Sequence, residues 1–115
     1  MYKNVKELTL FFAKLLNEKK AEDTVVLDIK KISFIADYFI ITTAQSPNHL
    51  KALFNIILEN IKDKNINRNI KCEGSPQTGW VLIDCGDVVI HLFSETKRNY
   101  YNLEYIWQEA KKISI

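Results

Sequence analysis

The sequence predicts a single α/β domain, of the α+β type, in which a mixed sheet of about five strands is flanked by helices. The chain has 115 residues, enough for one hydrophobic core and too few for two. Apolar residues recur at helical spacing in three segments, and short apolar runs typical of strands lie between them. The order helix, two strands, helix, three strands, helix is typical of a mixed sheet with helices packed against it. We therefore expect one domain over residues 1–115.

The first element is predicted to be an amphipathic helix. Val5, Leu8, Phe12 and Leu15 recur at three- and four-residue steps, with Lys and Glu between them. Charged residues interrupt this apolar segment and no small-residue cleavage site follows it, which argues against a signal peptide. No apolar run approaches the roughly 20 residues that a membrane-spanning helix needs. We therefore expect a cytoplasmic protein that has no membrane partner.

Two strands and a second helix are predicted next. The segments TVVLDI (24–29) and DYFIITTA (37–44) are short apolar runs of strand-forming residues. Ser46 can cap a helix, and Pro47 falls at the first helical position, where its missing N–H is tolerated. Six residues at helical spacing then form one apolar face: Leu50, Leu53, Phe54, Ile57, Leu58 and Ile61. This face requires a sheet to pack on, and the polar stretch DKNINRN (63–69) is predicted to end the helix.

The last part of the chain is predicted to contain three strands and a helix. IKCEG (70–74) is the first of these strands, and strands at 80–84 and 88–93 form a hairpin. Gly86 can take positive φ in the tight turn between them. Residues 94–112 are predicted to form one final helix, with five apolar residues on one side: Tyr100, Leu103, Ile106, Trp107 and Ala110.

Charge is divided unevenly along the chain. Residues 1–71 contain twelve Lys and Arg against eight Asp and Glu, and residues 97–115 contain four against two. Between them, residues 72–96 contain four carboxylates and no Lys or Arg. A nucleic-acid-binding protein concentrates positive charge on its binding surface. The acidic segment therefore disfavours direct, sequence-specific contact with nucleic acid there and favours a basic protein partner.

The acidic hairpin also contains the residues on which an enzymatic hypothesis depends. Asp84 and Asp87 flank the turn, where such a pair could bind a metal, although Asp is also a residue that turns prefer. His91 alternates with Ile and Leu, so it is predicted to share a face with Val89 and Phe93, as a core or interface histidine more often than a catalytic one. The two cysteines, Cys72 and Cys85, give neither zinc spacing nor a CxxC redox motif and are expected to be small buried hydrophobic residues in or beside strands. No metal site and no cofactor is expected.

Trp80 is the residue that most favours a docking function. It begins a strand after Gly79, and Trp is the residue type most enriched at interface hot spots, although a core Trp is the alternative. In the final helix, Arg98, Tyr101 and Glu104 follow one another at three-residue steps, which a solvated helix face explains equally well for the two charged residues. We predict that six residues contribute to partner binding: Trp80, Asp84, Asp87, His91, Tyr101 and Leu103.

Four segments of the chain resemble the bacterial ribosomal silencing factor, or Iojap-related, family. They are ADYFIITTAQSPNHLKA (36–52), EG (73–74), W-x-L-x-D-x-GDVVIHLF (80–93) and E-x-x-R-x-Y-Y-x-LE-x-x-W (95–107). The resemblance runs in order from about Val5 to Ala110, and the GDVVIHLF block is specific. One departure is Ala44, where the family usually has a glycine.

This resemblance implies a nucleotidyltransferase-like fold that does not transfer nucleotides. It also implies binding to the large ribosomal subunit through its fourteenth large-subunit protein. Bound there, such a factor sterically prevents the small subunit from joining and so represses translation when nutrients are limiting. A homodimer is compatible with the sequence, as is a monomer.

The competing hypothesis is a nucleotidyltransferase-like or metal-dependent enzyme that uses Asp84, Asp87 and His91. Active transferases of this fold have a Gly-Ser pair at a helix start and a D-x-[DE] pair on the following strand. Residues 44–46 read AQS instead, and Gly86 follows two positions after Asp84. Because both elements are missing, a binding protein that is not an enzyme is the favoured interpretation, since fold analogy alone does not establish activity.

Overall fold

A six-stranded mixed sheet forms the centre of the protein, whose computed structural model describes residues 4–63 and 69–115. The main elements along the chain are α1 (Val5–Glu18), β1 (Glu22–Asp28), β2 (Tyr38–Ala44), α2 (Pro47–Asp63), β3 (Lys71–Ser75), β4 (Trp80–Asp84), β5 (Val88–Ser94), α3 (Glu95–Tyr101), α4 (Leu103–Ile106) and β6 (Lys111–Ile113), with a short 3₁₀ turn at Pro76–Thr78. The strand order in the sheet is β3-β4-β5-β2-β1-β6. The predicted α+β class and mixed sheet are confirmed, with one strand more than expected.

The two central strands, β2 and β5, are parallel, and each other pair within the sheet is antiparallel. Their register pairs Tyr38 with Val88 at one end and Ala44 with Ser94 at the other. We call the end beside Val88 the turn end, because the β4–β5 turn lies there. The end beside Ser94, where both central strands finish, is the carboxyl end. Both central strands are buried along almost their whole length, as expected for strands covered on both faces.

The first face of the sheet is covered by α1 and α2. The helices bury the apolar stripes that the periodicity predicted, including Leu8 and Phe12 from α1 and Leu50, Leu53 and Ile57 from α2. These side chains pack on inward-facing strand residues in one large hydrophobic cluster. Sheet packing, together with the amphipathic pattern, therefore determines both helices.

The predicted start of α2 is confirmed in detail. Ser46 Oγ accepts a hydrogen bond from the backbone N–H of His49 at 3.0 Å, and Pro47 is the first helical residue. The helix ends at Asp63, the first residue of the polar stretch 63–69, most of which lies outside the described residues. Capping by Ser and the fixed φ of Pro explain why this boundary can be located from sequence.

The prediction of one helix over residues 94–112 was wrong. Helix α3 ends where Asn102 adopts a left-handed conformation with φ 49°, and its N–H bonds to the carbonyl of Arg98. The chain then forms the short α4 and, after a turn, the edge strand β6, which pairs antiparallel with β1. Asn tolerates the left-handed region better than most residues, so it ends the first helix without much strain.

The C-terminal segment, residues 95–113, covers part of the second face of the sheet. Leu103, Trp107 and Ala110 pack against a second hydrophobic cluster. The buried members of that cluster are Leu27, Ile29, Ala36, Phe39, Ile41, Val89 and Phe93. The break in the helix redirects the chain across this face towards the free edge of β1.

The two cysteines lie in different environments. Cys85 is buried in the turn after β4, as predicted, whereas Cys72 is exposed on the edge strand β3, contrary to the prediction. Edge position explains the difference, because β3 has a neighbour on one side only. Across residues 4–63 and 69–115, no helix is long and apolar enough to cross a membrane.

Candidate docking site

Four aromatic rings meet at the carboxyl end of the second face. Alternation along β4 directs Trp80 and Leu82 to this face and buries Val81 and Ile83 under the helices. Trp80 lies opposite Phe93 across the β4–β5 pair, and the two rings stack with centroids 5.2 Å apart. The ring of Tyr101, from the end of α3, lies 4.4 Å from that of Trp80. With His91 as the fourth ring, the structure thus brings together three of the predicted docking residues, Trp80, His91 and Tyr101.

A groove of about 290 Å³ opens beside these rings. It is lined by Gly74, Thr78, Trp80, Leu82 and Tyr101, with Glu73 and Lys97 contributing one charge of each sign. We call this feature the aromatic groove. Trp80 is only partly buried, so it combines the two roles that its sequence position allowed, packing inward on the second cluster and facing the groove.

Gly74 permits the close approach of β3 to the backbone of Trp80. Its φ is 84°, in the left-handed region, and a Cβ atom at this position would collide with the carbonyl oxygen of Trp80. A larger residue would therefore displace either the edge strand or the start of β4. One wall of the aromatic groove depends on this glycine.

His91 lies beneath the aromatic groove and is only 4% exposed. Its Nδ1 accepts a hydrogen bond from the indole N–H of Trp80 at 3.3 Å, and its ring meets that of Phe39 edge to face at 4.8 Å. Burial lowers the pKa of His91 from 6.5 to about 4, because desolvation disfavours the charged ring. The imidazole is therefore neutral at pH 7, with its proton on Nε2.

Asp84 and Asp87 lie at the opposite end of β4 from Trp80. Asp84 lies four residues along the strand from Trp80, a distance of about 13 Å. The Asp84 carboxylate accepts the backbone N–H of Gly86 at 2.8 Å, as in an Asx turn, and the Asp87 carbonyl accepts the backbone N–H groups of Asp37 and Tyr38. The Asp84 side chain thus shapes the turn, and the backbone of Asp87 connects the turn to the start of β2.

In the folded protein, two lysines lie against the acidic segment, residues 72–96. Lys71 pairs with Asp84 across β3 and β4, and Lys97 lines the aromatic groove together with Glu73. Lys71 and Lys97 are the basic residues that immediately flank the acidic segment in sequence, and the fold places them against it. The segment is therefore a mixed-charge surface with carboxylates at the turn end.

The residues of the enzymatic hypothesis are not assembled into a site. His91 is buried under aromatic rings with its Nδ1 bonded to Trp80, whereas the Asp84 carboxylate is held in the β4–β5 turn by the N–H of Gly86. Within the part of the chain that the structure describes, no group of three His, Cys, Asp or Glu side chains could hold a metal ion. Residues 44–46, where active transferases have a Gly-Ser pair, are held by internal hydrogen bonds. The backbone N–H of Gln45 donates to Nδ1 of His49.

Three exposed aromatic or apolar residues of α3 and α4 were not among the predicted docking residues. Tyr100, Tyr105 and Ile106 on α3 and α4 are all more than 60% exposed. The prediction of a single helix placed Tyr100 and Ile106 on one apolar side together with Leu103 and Trp107. The break at Asn102, which was not predicted, separates them from that side. Leu103 is partly buried and packs on the second cluster, as Trp80 does, and its part in partner binding stays a prediction.

Arg98 and Glu104 form an ion pair and do not lie on a solvated helix face. Arg98 Nε donates to Glu104 Oε1 at 2.9 Å, and the same guanidinium donates to Thr43 Oγ1 at 2.9 Å. The side chain of Arg98 is only 11% exposed. This pair links α3 to α4 and fastens both to β2, which holds Tyr101 beside Trp80.

The chain is similar to proteins of one known family. The family model described as "Ribosomal silencing factor during starvation" matches residues 2–115. The protein named ribosomal silencing factor RsfS from Bacillus subtilis is 38% identical over 107 residues, which are 93% of this chain and 90% of that protein. The chloroplastic protein Iojap of Arabidopsis thaliana is 34% identical over 103 residues, which are 90% of this chain and 42% of that protein.

A solved structure agrees with the same relationship. The crystal structure of a protein from Chromobacterium violaceum superposes with a TM-score of 0.83 at 30% sequence identity. The superposition covers 97% of this chain and 92% of that one.

Proposed function

Because the chain belongs to the ribosomal silencing factor family, we propose that it represses translation by binding the large ribosomal subunit. The proposed contact is the fourteenth large-subunit protein, and the bound factor prevents the small subunit from joining. This regulation acts in the cytoplasm under nutrient limitation. The observation that carries the docking part of the proposal is the aromatic groove, where the ring of a partly exposed Trp80 lies 4.4 Å from that of Tyr101.

The chemistry of the groove supports a protein as the partner. Trp and Tyr present large, rigid apolar surfaces with a polar edge, which is why they are enriched where protein interfaces lose water. Glu73 and Lys97 at the groove provide one charge of each sign, a pattern that fits polar and apolar side chains better than a phosphate backbone. Trp80 is therefore proposed as the centre of the interface, with Tyr101 beside it.

The acidic turn is proposed as part of the rim of the same interface. A standard interface buries about 800 Å² on each partner, which corresponds to a patch roughly 30 Å across. Such a patch has a radius of roughly 15 Å. Asp84, about 13 Å from Trp80 along β4, lies within it if Trp80 is at the centre. Asp84 and Asp87 then steer a basic partner, and rim charges affect the association rate more than the affinity.

Substitution of Trp80 tests the docking surface. Trp80→Ala is expected to weaken binding to isolated large subunits by roughly 30- to 1000-fold, because truncating a central Trp removes about 2–4 kcal/mol. Binding is measured by co-sedimentation, and thermal unfolding of the same variant shows that it is still folded. Trp107→Phe is the matched control. Trp107 belongs to the C-terminal segment and packs on Phe39, so this variant is expected to bind as the wild type does. Unchanged binding by a folded Trp80→Ala variant would exclude this surface.

We also propose that the protein is not a catalyst. The burial of His91 beneath Trp80 supports this, as does the Asx turn in which the Asp84 carboxylate accepts the N–H of Gly86. Incubation with nucleoside triphosphates, Mg²⁺ and RNA is expected to give no transfer or hydrolysis above that of a denatured control. Turnover that disappears in an Asp84→Asn, Asp87→Asn double variant would contradict the proposal.

A further inference from the structure

We propose that His91 is a positioning residue for docking, which fixes the ring of Trp80 in the orientation that the partner binds. This inference rests on the proposed function, because it assigns Trp80 to the interface. His91 is almost fully buried and so reaches a partner only through Trp80. The contact that transmits its effect is the hydrogen bond from the indole N–H of Trp80 to Nδ1 of His91.

Neighbouring rings and a hydrogen bond at its N–H hold the indole of Trp80. Trp80 is the first residue of β4, and it follows Gly79, which has a φ of 83°. The ring of Phe93 stacks under the indole and is nearly parallel to that of His91, at an angle of 8°. Stacking alone allows an indole to slide or turn in its own plane. The bond to Nδ1 removes that freedom by fixing the position of the indole N–H.

A stabilising role alone does not explain a histidine at this position. Because Nδ1 accepts from Trp80, the neutral ring carries its proton on Nε2. This buried Nε2 atom has no hydrogen-bond partner among the residues that the structure describes. A buried donor without a partner is unfavourable, whereas a Leu of similar size would fill the same space without that penalty. The histidine therefore supplies what a Leu cannot, an acceptor for the indole.

The expected consequence is preorganisation of the docking surface. A Trp side chain that is already held in its bound orientation loses less conformational freedom when the partner binds. Without the acceptor, the indole samples other orientations and each binding event must select among them. We expect this to weaken binding by about tenfold, as for loss of one neutral hydrogen bond.

A double-mutant cycle on large-subunit binding tests the inference. His91→Leu removes the acceptor, and Trp80→Phe keeps a ring but removes the indole N–H. His91→Leu is expected to weaken binding about tenfold when Trp80 is present and to have no effect in the Trp80→Phe background. His91→Asn is the conservative variant, because its Oδ1 takes the place of Nδ1, and it is expected to restore most of the affinity.

The indole N–H signal in a ¹H–¹⁵N NMR spectrum provides a readout that does not depend on binding. In the wild type and in His91→Asn, the Trp80 indole proton is expected to be shifted downfield and protected from exchange, and in His91→Leu it is expected to lose both properties. The Trp107 indole is the internal control in each sample.

The possible outcomes separate this inference from the proposed function. Equal loss of affinity in both Trp80 backgrounds, or an unchanged Trp80 indole signal in His91→Leu, would overturn the inference and leave the docking surface intact. Normal binding by folded Trp80→Ala would overturn the docking surface and the positioning role together.

Discussion

At the scale of single residues, burial determines the chemistry of His91. Its pKa is about 4 in the folded protein, against 6.5 for an accessible histidine, because desolvation disfavours the charged ring. Between these two values the unfolded chain binds more protons than the folded one. The stabilisation is therefore complete above about pH 6.5 and is lost as the pH falls towards 4.

We expect His91 to make the free energy of unfolding depend on pH in this window. The change is on the order of 3 kcal/mol between pH 7 and pH 4, at about 1.4 kcal/mol per pKa unit. Urea unfolding of the wild type and of His91→Asn at a series of pH values measures the difference. The matched control is His49→Asn, which removes the other histidine, a partly buried one at the start of α2. A wild-type slope that is identical to that of His91→Asn between pH 4 and 6.5 would contradict this prediction.

Two glycines with nearly the same φ are expected to respond differently to substitution. Gly86→Ala meets open space, so only its left-handed conformation, with a φ of 85°, opposes it, at a cost of about 1 kcal/mol. Gly74→Ala has the same strain and also collides with the carbonyl of Trp80, so we expect a loss of about 3 kcal/mol. Chemical unfolding of the two variants side by side measures both values. Equal losses would show that β3 moves aside freely.

At the scale of elements, the ion pair of Arg98 determines where the C-terminal segment lies. Arg98→Met keeps most of the alkyl stem but leaves the buried Thr43 hydroxyl without its donor and Glu104 without its partner. We expect this variant to lower the free energy of unfolding by about 2–3 kcal/mol, since hydrogen bonds to charged groups are the stronger ones. Glu104→Gln keeps an acceptor for the guanidinium and is expected to lose less than about 1 kcal/mol. Circular dichroism during urea unfolding measures both, and a larger loss for Glu104→Gln would contradict the proposed order.

The elements that were predictable from sequence are those with a local signal. Helices α1 and α2 each have one buried face that repeats every 3.6 residues, and the central strands β2 and β5 are continuous apolar runs, so these elements lie close to their predicted positions. Strand β6 carries no such signal, since three residues are held by pairing with β1, far away in the sequence. The break at Asn102 was also hidden, because Asn is compatible with a helix as well as with a left-handed turn.

The candidate site was predictable as residues and not as an arrangement. Trp80 and Tyr101 were selected for their residue type, and only the reversal of the chain after β5 brings their rings to 4.4 Å. Asp84 was selected together with them, but alternation and strand length place it at the far end of β4. Distances between elements depend on the fold, which the local sequence does not encode.

At the scale of the whole molecule, the proposed blockade predicts a dependence on the order of mixing. If the factor occupies the space that the small subunit needs, adding it before the small subunit should reduce ribosome assembly far more than adding it afterwards. Sucrose-gradient profiles of the two mixtures measure the difference, and Trp80→Ala serves as the inactive control. Equal effects in both orders, or equal amounts of factor on free large subunits and on assembled ribosomes, would argue against steric blocking.

The C-terminal segment follows strands β1 to β5 in the chain, and this order has a consequence for biosynthesis. Synthesis proceeds from the N-terminus, so α1, α2 and β1 to β5 emerge before residues 103–113 do. Until residues 103–113 have emerged, Phe39 and Ile41 of the nascent chain lack the cover that Leu103 and Trp107 later provide. An apolar sheet face in this state is a binding site for chaperones and a starting point for aggregation. A premature stop codon just before Leu103 therefore leaves a product that keeps strands β1 to β5 but exposes this apolar face. We expect chaperones and proteases to bind that product.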